Sequence, residues 1–182
     1  MKKDSHISEL KELMLLVSKL GEKSDYFGST HLNKILYLAD FYHFKLTGKP
    51  ITGAEYFKLP HGPGPKHLVP AQKQLIAEGR LSIEERVIAP ERTQKRPVVT
   101  GEINEDVFTP AQRDFVSKFV VWACQIPASQ LSILSHRHLA WELAELNETI
   151  PYYTIHCTGV NPITESTKQW AAQVATAANL TN

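Results

Sequence analysis

Thr30-His31-Leu32-Asn33-Lys34-Ile35-Leu36-Tyr37-Leu38-Ala39-Asp40-Phe41-Tyr42-His43-Phe44 is the stretch on which the fold of this chain turns. Leu32, Ile35, Leu36, Ala39, His43 and Leu46 recur along one helical stripe, and Gly48-Lys49-Pro50 ends the run. Thr30 stands where it can cap the start. Tyr37, Asp40, Phe41 and Phe44 lie off that stripe. A helix that is aromatic on more than one side is either central to its fold or half of a binding face.

Before this helix, residues 7–20 carry Leu10, Leu13, Met14, Val17 and Leu20 at helical spacing, stopped by Gly21. After it, Thr52 to Leu59 reads as extended. Pro60-His61-Gly62-Pro63-Gly64-Pro65 then reads as a rigid loop, because three prolines and two glycines in six residues suit neither a helix nor a central strand. A third helix is expected from Pro70 to Gly79. Residues 80–103 are expected to form a β-hairpin, with Leu81, Ile83 and Val87 on one face and Val98-Val99-Thr100 in the returning strand. A helix followed at once by a hairpin is a winged-helix-like arrangement.

Thr109-Pro110-Ala111-Gln112 marks a fourth helix by its capping threonine, first-turn proline and capping-box glutamine. In it Phe115, Phe119 and Trp122 form a stripe that Val116, Val120 and Ala123 widen, which predicts burial on most sides. Ser135 is read as capping a further helix whose Leu139, Leu143 and Leu146 face inward. Tyr152 to Ile155 favours extended structure, and an Ala-rich helix with Trp170 and Val174 follows Asn161-Pro162. The fold class expected is mainly α with a small β-sheet (α+β), a helical core carrying a winged-helix-like hairpin. Residues 1–156 are expected to form the domain, and 157–182 a C-terminal extension.

Bulk properties narrow the function classes. With 42% hydrophobic and 21% charged residues the chain has the makeup of a globular domain, not a disordered segment. Cys124 and Cys157 build no disulfide framework and sit in no C-x-x-C pair, which fits a reducing compartment. No stretch approaches the roughly 18 uncharged apolar residues of a membrane span, and the N-terminus lacks a signal-peptide pattern. A cytoplasmic protein is expected. The net charge of +1 is unevenly spread: residues 1–100 hold 16 Lys and Arg against 11 Asp and Glu, and the remainder holds 4 against 8.

Candidate chemistry is sparse. His136 and His138 are two apart, so on a helix they face different ways, whereas zinc ligands on a helix stand at i and i+4. They are read as histidines at the exposed start of a helix. Cys124 sits in an apolar helix with no catalytic signature around it. Gly62-x-Gly64 lacks the third glycine and the Lys-Ser/Thr of phosphate-binding loops. The carboxylate pairs, Glu84-Glu85 and Glu142 with Glu145, have exposed-looking neighbours. No enzyme and no cofactor or metal is expected. DNA binding stays open as a second reading: Lys66, His67, Gln72, Lys73 and Gln74 on the third helix would face a groove, and the hairpin tip would touch phosphate. Such a protein could regulate its own operon.

Thr30 to Asp40 resembles the opening motif of the Panacea domain, in which a lysine precedes an apolar pair and an aromatic residue. Tyr56-Phe57-Lys58-Leu59-Pro60-His61-Gly62-Pro63 is similar to that family's aromatic residue followed by a Gly-Pro turn. Leu131-Ser132, Leu134-Ser135-His136 and Trp141 resemble its Leu-Ser, Ser-His and Trp segment. Two departures stand out: Gly64-Pro65 extends the turn, and residues 160–182 lie outside the resemblance. The resemblance implies a bacterial or phage antitoxin of a toxin–antitoxin system, which neutralises a cognate toxin by direct protein–protein interaction. It also implies a second partner in some relatives, a protease or chaperone to which the toxin is delivered. The residues expected to face a partner are Tyr37, Phe41 and Phe44 on the second helix, Lys58, His61 and Pro63 at the loop, and Arg92, Lys95 and Arg96 on the hairpin.

Overall fold

The computed structural model describes residues 2–157 and residue 169. Ten elements follow one another: α1 (Lys2–Gly21), α2 (Ser29–Thr47), β1 (Tyr56–Leu59), β2 (Gly62–Pro65), α3 (Leu68–Ala77), β3 (Leu81–Ala89), β4 (Arg92–Val99), α4 (Pro110–Ala123), α5 (Ala128–His136) and α6 (Leu139–Leu143). The result is mainly helical α+β, with six helices and two small antiparallel sheets among the described residues.

α2 is the axis of the molecule. It packs against α1, α4, α5 and β2, and its residues from Ile35 to Phe41 are buried on every side. Its apolar and aromatic stripes therefore both face protein. The stripe runs out only at the C-terminal end, where Leu46, expected to point inward, is 72% exposed. Gly28, and not Thr30, is the residue that starts α2, and no side chain caps it. Gly48 ends it in the left-handed conformation (φ 74), its N–H donating to the Phe44 carbonyl.

The proline-rich segment is a strand, not a loop. β2 pairs antiparallel with β1, with Phe57 opposite Gly64 and Leu59 opposite Gly62. On its other edge β1 meets residues 147–150: Lys58 N–H donates to Glu148 O at 3.0 Å, and Ile150 N–H to Tyr56 O at 2.7 Å. Lys58 and Tyr56 thus turn their backbone groups away from β2, and Phe57 and Leu59 turn theirs toward it. Their partners on β2 are the two glycines, which have N–H groups to give; the prolines fall at the alternate positions, where the ladder needs no donor. This alternation is why a Gly-Pro-Gly-Pro segment forms a strand, and why that strand lies buried against α2 and α5.

α3 begins at Leu68, with Pro70 in its first turn, and leads directly into the β3–β4 hairpin, which folds back over α1 and α2. α4 opens with the expected capping box between Thr109 and Gln112. Its burial is narrower than its sequence suggests: only Val116, Val120 and Ala123 are buried, and Trp122 is 41% exposed. Trp122 is therefore not a core residue. Leu143 and Leu146 are also exposed, and α6 is a single short helix starting after His138. Ser135 lies buried inside α5 with its hydroxyl donating to Ser132 O, so it caps nothing. Tyr152–His156 is a 3-10 turn and not extended chain. Apart from residues 157 and 169, the expected C-terminal extension, with the Ala-rich helix expected in it, lies outside the described residues.

Candidate functional site

The centre of the molecule is a carboxylate. Asp40 of α2 is fully buried and accepts from five donors. Ile51 N–H and Thr52 N–H reach Oδ1 at 2.8 and 2.9 Å; Thr52 Oγ1, Tyr56 OH and Tyr152 OH reach Oδ2 at 2.5, 2.8 and 3.3 Å. Burial pushes the Asp40 carboxyl upward, and these hydrogen bonds hold it back. Around it Tyr37, Phe41, Tyr56 and Tyr152 interlock, with Phe41 4.3 Å from Tyr37 and 4.8 Å from Tyr152 between ring centres. Burial raises all three tyrosine hydroxyls well above their ordinary value, so they stay protonated donors.

A second junction lies where α2, the β1–β2 turn and α5 meet. Lys34 is 3% exposed, has no carboxylate partner among the described residues, and donates to His61 O at 2.5 Å. Burial lowers its ammonium to about 8. Gly62 has φ 112, and a Cβ there would overlap Lys34 Nζ and come within 2.7 Å of His136 Nε2; only glycine fits. His136 stacks flat on Trp141 at 4.0 Å, and Lys58 Nζ lies 4.8 Å over the same indole while donating to Glu142 O and Ala144 O. Two residues beyond His136, His138 is held by Tyr37 OH at 2.9 Å, and its ring packs edge-on against Tyr42. Burial depresses His138 to about 4, with the nearby Lys45 charge adding to the effect. It is neutral at ordinary pH and hydrogen-bonds the Tyr37 hydroxyl through Nδ1. Both histidines are built into the frame and are not the exposed pair expected.

Two grooves open on the surface. One, of about 580 Å³, runs between α2, α4 and α5 and is walled by Tyr42, Leu46, Phe115, Phe119, Trp122 and Leu134. Its two charged residues, Asp114 and Lys118, pair with each other at 2.8 Å. The other, of about 810 Å³, lies beneath the hairpin beside the starts of α2 and α5, and mixes Tyr26, Val87 and Ile88 with Ser29, Arg86 and Arg92. Among the described residues no three His, Cys, Asp or Glu side chains gather as metal ligands.

The family described as "Antitoxin SocA-like, Panacea domain" matches residues 32–142. This chain belongs to that Panacea family. No curated protein and no solved structure matches the chain. The three blocks that carry the Panacea resemblance are far apart in sequence and converge in space: Lys34 and Tyr37 from the first, Tyr56, Lys58 and Gly62 from the second, His136 and Trp141 from the third. They hold the frame together, and none of them forms a nucleophile–base pair.

The residues expected to face a partner divide accordingly. Tyr37, Phe41 and Pro63 are buried, which corrects their reading as contact residues: α2 is covered on both stripes and β2 is sealed beneath it. Phe44 is half-buried against Tyr152 and His156. Lys58 is tied to the α6 carbonyls, whereas His61 is exposed beside it. Arg96 turns inward to Ser24 O and Glu22 O at 3.1 and 2.8 Å and holds the α1–α2 loop. Arg92 and Lys95 are exposed and unpaired among the described residues. Sequence reasoning missed Trp122 and Leu46 as surface residues. Their apolar character made them look internal, and only the absence of a neighbour over that face shows otherwise.

Proposed function

We propose that this Panacea domain is the antitoxin of a toxin–antitoxin pair and neutralises its toxin by direct protein–protein binding in the cytoplasm. The supporting observation is the family match over residues 32–142, together with the use of its motif residues to brace a frame. A braced frame presents a pre-formed surface, so little ordering entropy is lost on association. Residues 1–156 are taken as the binding domain and 157–182 as an extension to it. None of the described helices is long and apolar enough to cross a membrane.

The test is co-expression with the product of the adjacent open reading frame. Growth arrest by that product alone, relieved when this chain is present and accompanied by co-purification, supports the reading; arrest without relief defeats it. Toxin half-life measured with and without this chain separates simple occlusion from delivery to a protease or chaperone. DNA binding is the weaker alternative. With Arg96 turned inward and Arg86 paired with Asp25 at 2.8 Å, the hairpin keeps Arg92 and Lys95 as exposed cations, beside Glu84, Glu85 and Glu91. Binding to operator DNA that weakens steeply with salt would favour it.

A further inference from the structure

We propose that the α2–α4–α5 groove is the toxin-docking site, and that it receives a short amphipathic helix of the toxin with an apolar face and an acidic flank. This rests on the antitoxin reading and assigns it a surface. The groove brings together the exposed apolar side chains Leu46 and Trp122, with Tyr42, Phe115, Phe119 and Leu134 half-buried beneath them. An apolar, aromatic-lined concavity of this kind marks an interaction site more often than an idle surface.

The chemistry of the walls specifies the occupant. Asp114 and Lys118, exposed on the α4 wall, pair with each other, so that wall offers no free cation to a phosphate backbone. Two exposed cations neighbour groove residues in the chain, and the Lys45 charge lies close enough to His138, which packs on Tyr42, to act on it. Lys45 precedes Leu46, and Arg137 lies one turn beyond Leu134; both are exposed, and neither has an ion-pair partner among the described residues. An apolar ridge flanked by carboxylates matches that pattern. The α4 wall from Phe115 to Trp122 spans eight residues, roughly 10 Å of helix rise, which is room for about two turns of a partner helix and anchors at i, i+4 and i+7. Tyr42 and Phe119, 6.1 Å apart, join the two walls, and His138 braces Tyr42 from behind.

The experiment uses the full chain and, as probe, the product of the adjacent open reading frame, with affinity measured by calorimetry. Leu46→Asp and Trp122→Ala are expected to weaken binding about 30-fold or more each, the range of central apolar anchors. Lys45→Glu with Arg137→Glu should weaken it about 10-fold at low salt and less at high salt. Glu84→Gln with Glu85→Gln, exposed on the hairpin, should leave it unchanged. Melting curves like the parent's show that the variants fold. A folded Leu46→Asp protein that binds as the parent does overturns the groove assignment and leaves the antitoxin reading standing. A parent chain that neither binds nor neutralises the probe overturns both. A parent dimer that Leu46→Asp dissociates, or loss of operator DNA binding in place of toxin binding, assigns the groove to another occupant and also overturns the proposal.

Discussion

On one side of α2, Tyr37, Phe41, Tyr56 and Tyr152 close around Asp40; on the other, Tyr42 stands beside Phe115, Phe119 and Trp122 at the edge of an open groove. Both regions are aromatic and both draw on the same helix. They differ in what completes them. The first has a buried carboxylate, and donors from β1, from the segment after α2 and from the 3-10 turn at Tyr152 converge on it. The second is backed by imidazole rings, His43 edge-on to Phe115 and His138 edge-on to Tyr42, and among the described residues no buried carboxylate gathers donors over it. Aromatic content brings surfaces together, but a satisfied polar centre fixes which surfaces close.

The contrast is most exposed to attack at Asp40. Asp40→Ala leaves the Thr52 hydroxyl and two backbone N–H groups without their acceptor, while the Tyr56 and Tyr152 hydroxyls keep the Leu36 and Ala54 carbonyls, and should cost at least about 3 kcal/mol in urea unfolding. A loss under about 1 kcal/mol would show that the closed region does not depend on its carboxylate.

A smaller effect should come from pH. His138 is held near 4 when folded, against an ordinary value of 6.5. Above pH 6.5 both states are neutral and its contribution is complete. As pH falls from 6.5 toward 4 the unfolded chain takes up a proton that the folded chain refuses, so stability declines across that window. After allowance for screening at a part-buried ring, the decline should be about 1–2 kcal/mol. His138→Gln should flatten this part of the stability profile; an unchanged slope would move the titration to another group.

The smallest effect is expected in the open region. Trp122→Ala should change stability by about 1 kcal/mol, because the ring is 41% exposed and packs mainly on Phe119 at the groove edge. A cost of several kcal/mol would mean that the groove is closed in solution and that the two regions are alike.

The helices, the hairpin and the capping box at Thr109 were legible because periodicity, turn residues and caps are local signals. The family blocks were legible as motifs, but their convergence on Gly62 was not, since Lys34, Gly62 and His136 meet only through tertiary packing. Tyr37 and Phe41 were ambiguous for the same reason. A second apolar stripe looks identical whether a neighbouring element covers it, as β1 and the Tyr152 turn do here, or leaves it open. Leu143 and Leu146 erred in the opposite direction: α6 stops after one turn and a half, too early for the stripe to continue. β2 was missed because prolines are counted against strands, and that count overlooks which positions of a strand have to donate.

The Gly-Pro-Gly-Pro strand also bears on assembly. A sheet grows by offering unpaired N–H groups along an edge, and the edge of β2 turned away from β1 has proline at both of the positions that would offer them. Each glycine is already committed to β1. The small sheet therefore has a terminus written in covalent structure: no incoming strand, from a second copy or from a misfolded chain, finds donors there to begin a ladder. The chain is in this way kept from associating through that edge with itself.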